Sequence, residues 1–210
     1  FWKDIKELII AFFSYIFKKD TRKKYASKFR YALYIIISTI PVGITGFLFK
    51  DEIENLYSLN GLAIAFLITA LALFIVRNIK GTKSDEDIKL KDAILIGLIQ
   101  AVTIVPGISR SGTVLVACLL CNLKRETALK YTFMLYFPVS VGTMILGVSD
   151  LANTTELTSM LIPYLAGMIV AGIVTFFSYR WLSNWVKKGK LWKFSIYCVC
   201  LALFIFIYFR

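Results

Sequence analysis

The chain contains no histidine, only four prolines and four cysteines, and 13 acidic residues against 25 basic ones. Without histidine it lacks the commonest general base and metal ligand, so any catalysis rests on other groups. Cys118, Cys121, Cys198 and Cys200 all fall in apolar stretches. Cys118-Leu-Leu-Cys121 has a redox or zinc spacing, but no histidine and no second C-x-x-C completes a zinc site, and the four read as small apolar residues. The shortage of acid leaves a net charge of +12, which in a soluble protein would suggest nucleic acid. Here the basic residues cluster in short loops between apolar segments, a pattern that describes membrane orientation and not nucleic-acid binding.

Charge is scarcest where the chain is most apolar. Hydrophobic residues make up 58% of the sequence, and the runs Tyr31–Phe49, Gly61–Val76, Tyr131–Val148, Leu161–Tyr179 and Phe194–Phe209 are 16 to 19 residues long. At about 1.5 Å rise per residue each approaches the ~30 Å hydrocarbon thickness of a bilayer. The expectation is an all-α polytopic membrane protein with about five spanning helices, a single domain over residues 1–210. Pro41 and Pro163 fall inside two of the runs, where membrane helices tolerate a kink. Trp2, Ile5, Leu8, Ile9, Phe12, Phe13 and Ile16 recur at helical spacing opposite Lys3, Asp4, Lys6 and Glu7, which predicts an amphipathic helix over residues 1–17. That opening is too charged for a cleavable signal peptide, and the chain begins at Phe1; a segment upstream of Phe1 is expected, with a processed N-terminus as the alternative.

Lys and Arg set the orientation. Residues 18–30 hold seven of them, 77–92 five, 122–130 three and 180–193 five, whereas 50–60 holds only Lys50 and 149–160 holds none. The first four stretches are therefore cytoplasmic and the last two outside. Residues 93–121 then have basic flanks on both sides, so they must enter and return on one face. Their halves, 93–105 and 113–121, are too short to cross alone and are joined through Pro106-Gly107 and Gly112. This predicts a re-entrant helical hairpin over 93–121 with its tip near mid-membrane. The alternative is one long helix kinked at Pro106, which would carry Lys124, Arg125 and Lys130 outside.

Between Asp92 and Lys124 the only charged residue is Arg110, in VPGISRSG. An arginine at the centre of a membrane helix costs about 2.5–3.5 kcal/mol on insertion scales, so a partner is needed. A carboxylate on a neighbouring helix would make it a structural lock, but the spanning runs contain none. An oxyanion fits better. Gly107 and Gly112 allow close backbone approach, Ser109, Ser111 and Thr113 offer hydroxyls, and a half-helix starting near Gly112 would aim its free amides at the same point. Each serine or threonine alone more often bonds its own backbone; the cluster around one guanidinium makes a phosphate site.

GLIQAVTIVPGISRSGTVLVACLL (residues 97–120) resembles the second signature of the bacterial undecaprenyl-pyrophosphate phosphatase, or bacitracin-resistance, family: a P-G-x-S-R-S-G run preceded by a glutamine at Gln100. LKRETALKYTFMLYFPVSVGT (123–143) and the opening FWKDI are similar to further stretches of that family, so the resemblance covers the whole chain. It implies two inverted repeats, each with a re-entrant hairpin, of which this chain is the larger part. It also implies a multi-pass enzyme of the bacterial plasma membrane that hydrolyses undecaprenyl pyrophosphate to undecaprenyl phosphate and inorganic phosphate, recycling the lipid carrier of cell-wall synthesis. On that resemblance Arg110, Ser109 and Ser111 are catalytic, and Gln100, Gly107, Gly112 and Thr113 bind substrate. A divalent cation, Mg2+ or Ca2+, is expected, with no metal ligand in this chain; a polyprenyl pyrophosphate lipid is the partner, and there is room for a homodimer. The family's other signature, an acidic pair followed by a proline and an S-S-x-G-H run, is not in the sequence. The expectation is an N-terminally truncated piece of an active enzyme, inactive alone; the alternative is a chain that binds or flips a polyprenyl phosphate without catalysis.

Overall fold

The computed structural model describes residues 1–49, 52, 58–152 and 157–209. Among them are eight α-helices: α1 (Trp2–Phe17), α2 (Arg22–Leu48), α3 (Leu59–Val76), α4 (Leu90–Ala101), α5 (Arg110–Leu120), α6 (Arg125–Ala152), α7 (Leu157–Lys187) and α8 (Trp192–Tyr208). The protein is all-α and built of apolar helices, as the runs predict. The stretch beginning at Lys19, which includes α2, together with α3 and residues 162–187 of α7, is long and apolar enough to cross a bilayer. The expected run Tyr131–Val148 lies within α6. The run Phe194–Phe209 coincides with α8, a 17-residue helix, to within two residues.

Small residues set the closest helix contacts, as they must where lipid offers apolar groups no advantage in leaving it. α3 packs along α8, with Ala63, Ala70 and Ala202 buried, and the Ser195 hydroxyl donates to the Ala70 carbonyl at 2.7 Å. α2 packs on α4 at Gly97, where a β-carbon would stand 2.7 Å from the Ser38 carbonyl oxygen. The Ser38 hydroxyl donates to the Ala93 carbonyl at 2.7 Å and lies 2.9 Å from the Tyr131 hydroxyl, joining α2, α4 and α6. α1 lies against α2, with Tyr15 stacked on Phe29 at 4.1 Å and Ile5 and Leu8 against the core, while Trp2 and Phe17 stay exposed.

The flanks of residues 93–121 meet. Lys83 and Leu123 form a β-bridge, Asn122 accepts from the amides of Thr82 and Lys83, and Lys124 donates to the Lys83 carbonyl at 2.9 Å. A continuous helix of this length would hold its ends ~40 Å apart. Instead α4 and α5 run side by side, in and back. Asn122 makes the return possible by taking a left-handed φ of 66°, which lets Leu123 donate back to Cys118 at the end of α5. Arg125 fastens the same region by donating to the carbonyls of Ile79 (3.1 Å) and Arg77 (3.0 Å), just beyond α3.

The tip reaches beyond the expected middle. Ser109 touches Thr69 near the centre of α3, but Ile104 lies beside Gly46 in the last turn of α2, and Gly107 beside Leu62 and Ala65 in the first two turns of α3. The 3-10 turn Val102–Ile104 and the Pro106-Gly107 turn extend the chain past the start of α5, toward the face that the charge pattern reads as outer.

Candidate active site

Three features of sequence place the motif. Gly107 adopts φ 89°, a conformation open to glycine, and a β-carbon there would stand 2.8–3.0 Å from Leu62 and Ala65. The turn it makes brings Ser109 to the N-cap of α5 in extended geometry, where its hydroxyl accepts from the Gly112 amide at 3.2 Å. The Thr113 amide donates to the Ser109 carbonyl at 2.9 Å. The Arg110 and Ser111 amides have no protein acceptor among the described residues, so two donors and the positive end of α5 remain available.

Ser109, Ser111 and Gly112 line a common cavity of about 220 Å3, closed by Thr132, Phe133, Tyr197 and apolar neighbours from α3, α6, α7 and α8. Arg110 is partly buried at the start of α5. Its guanidinium carbon lies 5.1 Å from the Tyr136 ring centre, and Nη2 is 3.5 Å from the Leu135 carbonyl oxygen, longer than a normal hydrogen bond. No ion pair among the described residues includes Arg110. A guanidinium with five donors is thus held by one ring face and one long contact.

Gln100 is fully buried in α4, and neither its amide nitrogen nor its oxygen has a partner among the described residues. Such a group costs about 1–3 kcal/mol unless a ligand, water or further polar atom meets it. It does not line the cavity at Ser109 and Ser111, so the structure joins the serines and Gly112 to one another, with Arg110 between the serines in the chain and Gln100 outside the group. Sequence reasoning passed over Thr69, whose hydroxyl accepts from the Ser109 amide at 3.2 Å and so sets the cap. The signal was there: Thr69 is the single hydroxyl in Gly61–Val76. Tyr136, one aromatic among many in an apolar run, carried none.

The site offers hydroxyls, amides and a cation, a set suited to an anion; it has none of the carboxylates that usually anchor a hard divalent ion. Among the described residues no group of three His, Cys, Asp or Glu side chains could hold a metal. The residues here do not fit the expected Mg2+ or Ca2+, and no chemical step is assigned to it below.

Residues 1–204 match the family model described as bacitracin resistance protein BacA. Undecaprenyl-diphosphatase 1 of Bacillus licheniformis is 44% identical over 208 residues, covering 98% of this chain and 76% of that protein. Undecaprenyl-diphosphatase 1 of Bacillus cereus is 43% identical over 196 residues, 93% of this chain and 72% of the relative. Undecaprenyl-diphosphatase of Oceanobacillus iheyensis is 40% identical over 209 residues, 98% and 75%. With a family model matched over residues 1–204 and relatives about 40–44% identical along nearly all its length, the chain belongs to the bacitracin resistance protein BacA family.

Proposed function

We propose that this protein hydrolyses undecaprenyl pyrophosphate to undecaprenyl phosphate and inorganic phosphate, in the bacterial plasma membrane, and so returns the lipid carrier to cell-wall synthesis. The observation that carries the reading is Arg110: a cation at a helix start which, among the described residues, meets no carboxylate and stands next to two amides without acceptors and a serine-lined cavity. An anion with several oxygens is the ligand such a group lacks.

In the reaction the bond between the bridging oxygen and the terminal phosphorus breaks, and a water oxygen joins that phosphorus. Negative charge builds on the bridging oxygen and is shared by the terminal oxygens. Arg110 neutralises that charge with donors fixed by α5, and Ser111 and the Arg110 and Ser111 amides donate to the remaining oxygens. Ser109, whose oxygen already accepts from Gly112, keeps its proton to donate. None of these groups is a base near neutral pH. Their part is binding, orientation and stabilisation of charge. A requirement for Mg2+ or Ca2+, held by groups other than this cluster, goes with the reading, and chelation by EDTA tests it.

The deciding experiment gives the complete protein, purified in mixed micelles, C55 pyrophosphate and measures inorganic phosphate. One phosphate released per lipid is the expected result. Transfer of labelled lipid monophosphate between vesicle leaflets with no phosphate released would sink the hydrolase and leave a flippase.

A further inference from the structure

The start of α5 is tied to the rest of the bundle by few polar contacts. Among the described residues, two join residues 107–113 to another helix: the Ser109 amide donates to the Thr69 hydroxyl at 3.2 Å, and Arg110 Nη2 stands 3.5 Å from the Leu135 carbonyl oxygen. Only the first is of ordinary hydrogen-bond length. The other bonds of the turn are local, from the Ile108 amide to Val105 and from the Gly112 and Thr113 amides to Ser109. Thr69 is buried near the centre of α3, and the next residue, Ala70, gives its carbonyl to the Ser195 hydroxyl of α8 at 2.7 Å. One turn to either side, Phe66 and Leu73 line the cavity at the motif. The Thr69 γ-methyl lies 3.5 Å from where a β-carbon on Gly112 would stand. Thr69 therefore meets both the cap residue of α5 and the glycine whose amide that cap receives.

We propose that Thr69 is a positioning residue for the hydrolysis, its hydroxyl oxygen fixing where the α5 start presents Arg110, Ser111 and their amides; the proposal rests on the reading of that start as the pyrophosphate site. Thr69 does not line the cavity and acts through the Ser109 amide. That amide precedes α5 and belongs to no helical ladder, so without Thr69 it must find another acceptor. The turn that carries it includes Gly107 at φ 89°, where the backbone is free to rotate, and Arg110 and Ser111 follow the turn directly. Donors that stabilise a transition state work by being held in place beforehand, and a displacement of ~1 Å costs about 10²-fold in rate.

The test measures phosphate release from C55 pyrophosphate by the complete protein in mixed micelles, with the melting temperature read alongside. Thr69→Val keeps the shape and removes the acceptor. It should lower kcat about tenfold or more and change KM by less than about threefold, because the charge that draws the pyrophosphate stays. Thr69→Ser, which keeps the hydroxyl, should recover most of the rate. Ser195→Ala removes the neighbouring buried bond of α3 without touching Ser109, and should lower the melting temperature while kcat stays within about threefold. A Thr69→Val rate within about twofold of wild type overturns the proposal, and so does Thr69→Ser or Ser195→Ala turning over as slowly as Thr69→Val. Should Thr69→Val not fold, Thr69→Ala, which cannot crowd the turn, takes its place under the same expectation. If wild type released no phosphate, the hydrolase reading would fail by itself, and affinity for inorganic pyrophosphate would decide the role of Thr69. Binding several-fold weaker in Thr69→Val supports the tie, and equal affinities overturn it.

Discussion

The two ends of the hairpin use the same kinds of side chain to opposite effect. At its feet the cations nearest the core are engaged: Lys83 reaches both oxygens of the buried Asp92 at 2.9 Å, and Asp92 also accepts from the Lys89 amide at the start of α4. Lys130 bridges Asp4 and Asp85 at 3.1 and 3.0 Å, and Arg125 fills two carbonyls beyond α3. At the tip, among the described residues, Arg110 meets no carboxylate, Gln100 has no partner, and the Arg110 and Ser111 amides have no acceptor. Satisfied polar groups hold the two ends of the hairpin together; the unsatisfied ones are what make its tip the candidate site.

The comparison breaks most sharply at Arg110. Arg110→Ala should cut phosphate release from C55 pyrophosphate about 10²-fold or more, with little change in thermal stability, since the side chain has only a long contact and a ring to lose. Arg110→Lys keeps the charge but loses the fork and should fall between. A variant active to within a few-fold would end the proposed role.

Lys83→Met asks the opposite question. It leaves Asp92 buried without its cation and should cost about 2 kcal/mol of stability, read by thermal or denaturant unfolding in detergent. KM for the substrate should stay near wild type in whatever fraction folds. If Lys83→Met left stability unchanged and abolished substrate binding, the division between feet and tip would be false.

Gln100→Met sharpens the line between the two regions. It removes two unpartnered polar atoms at similar volume and should raise stability by about 1 kcal/mol while phosphate release falls several-fold. A loss of stability would show instead that Gln100 is a satisfied structural group. The smallest effect belongs to the surface beside the feet. The Ser84 hydroxyl first, then its amide, bonds the Asp87 carboxylate and holds it below its ordinary value of 3.8. A lowered carboxylate stabilises the fold above its unfolded pKa and loses that contribution as pH falls through the folded value. The difference in melting temperature between wild type and Ser84→Ala should therefore shrink as pH drops below about 4, and a constant difference would show that the pair does not act through Asp87.

Much of this was legible in the sequence because membranes leave few choices. Apolar runs must be helices, since lipid offers no partner for a free backbone amide, and the placement of Lys and Arg sets their direction. Charge on both sides of residues 93–121 predicts a hairpin, and one arginine among serines and glycines singles out residues 107–113 as the candidate anion site. What the sequence could not supply was relative placement. That the tip passes mid-depth depends on where Ile104 and Gly107 dock on α2 and α3. That Ser109 and Ser111 share a cavity, while Gln100 lies buried apart from it, depends on how α3, α6, α7 and α8 close around α5. Periodicity fixes which residues share a face of one helix, but which face meets which neighbour is settled by packing between elements far apart in the chain.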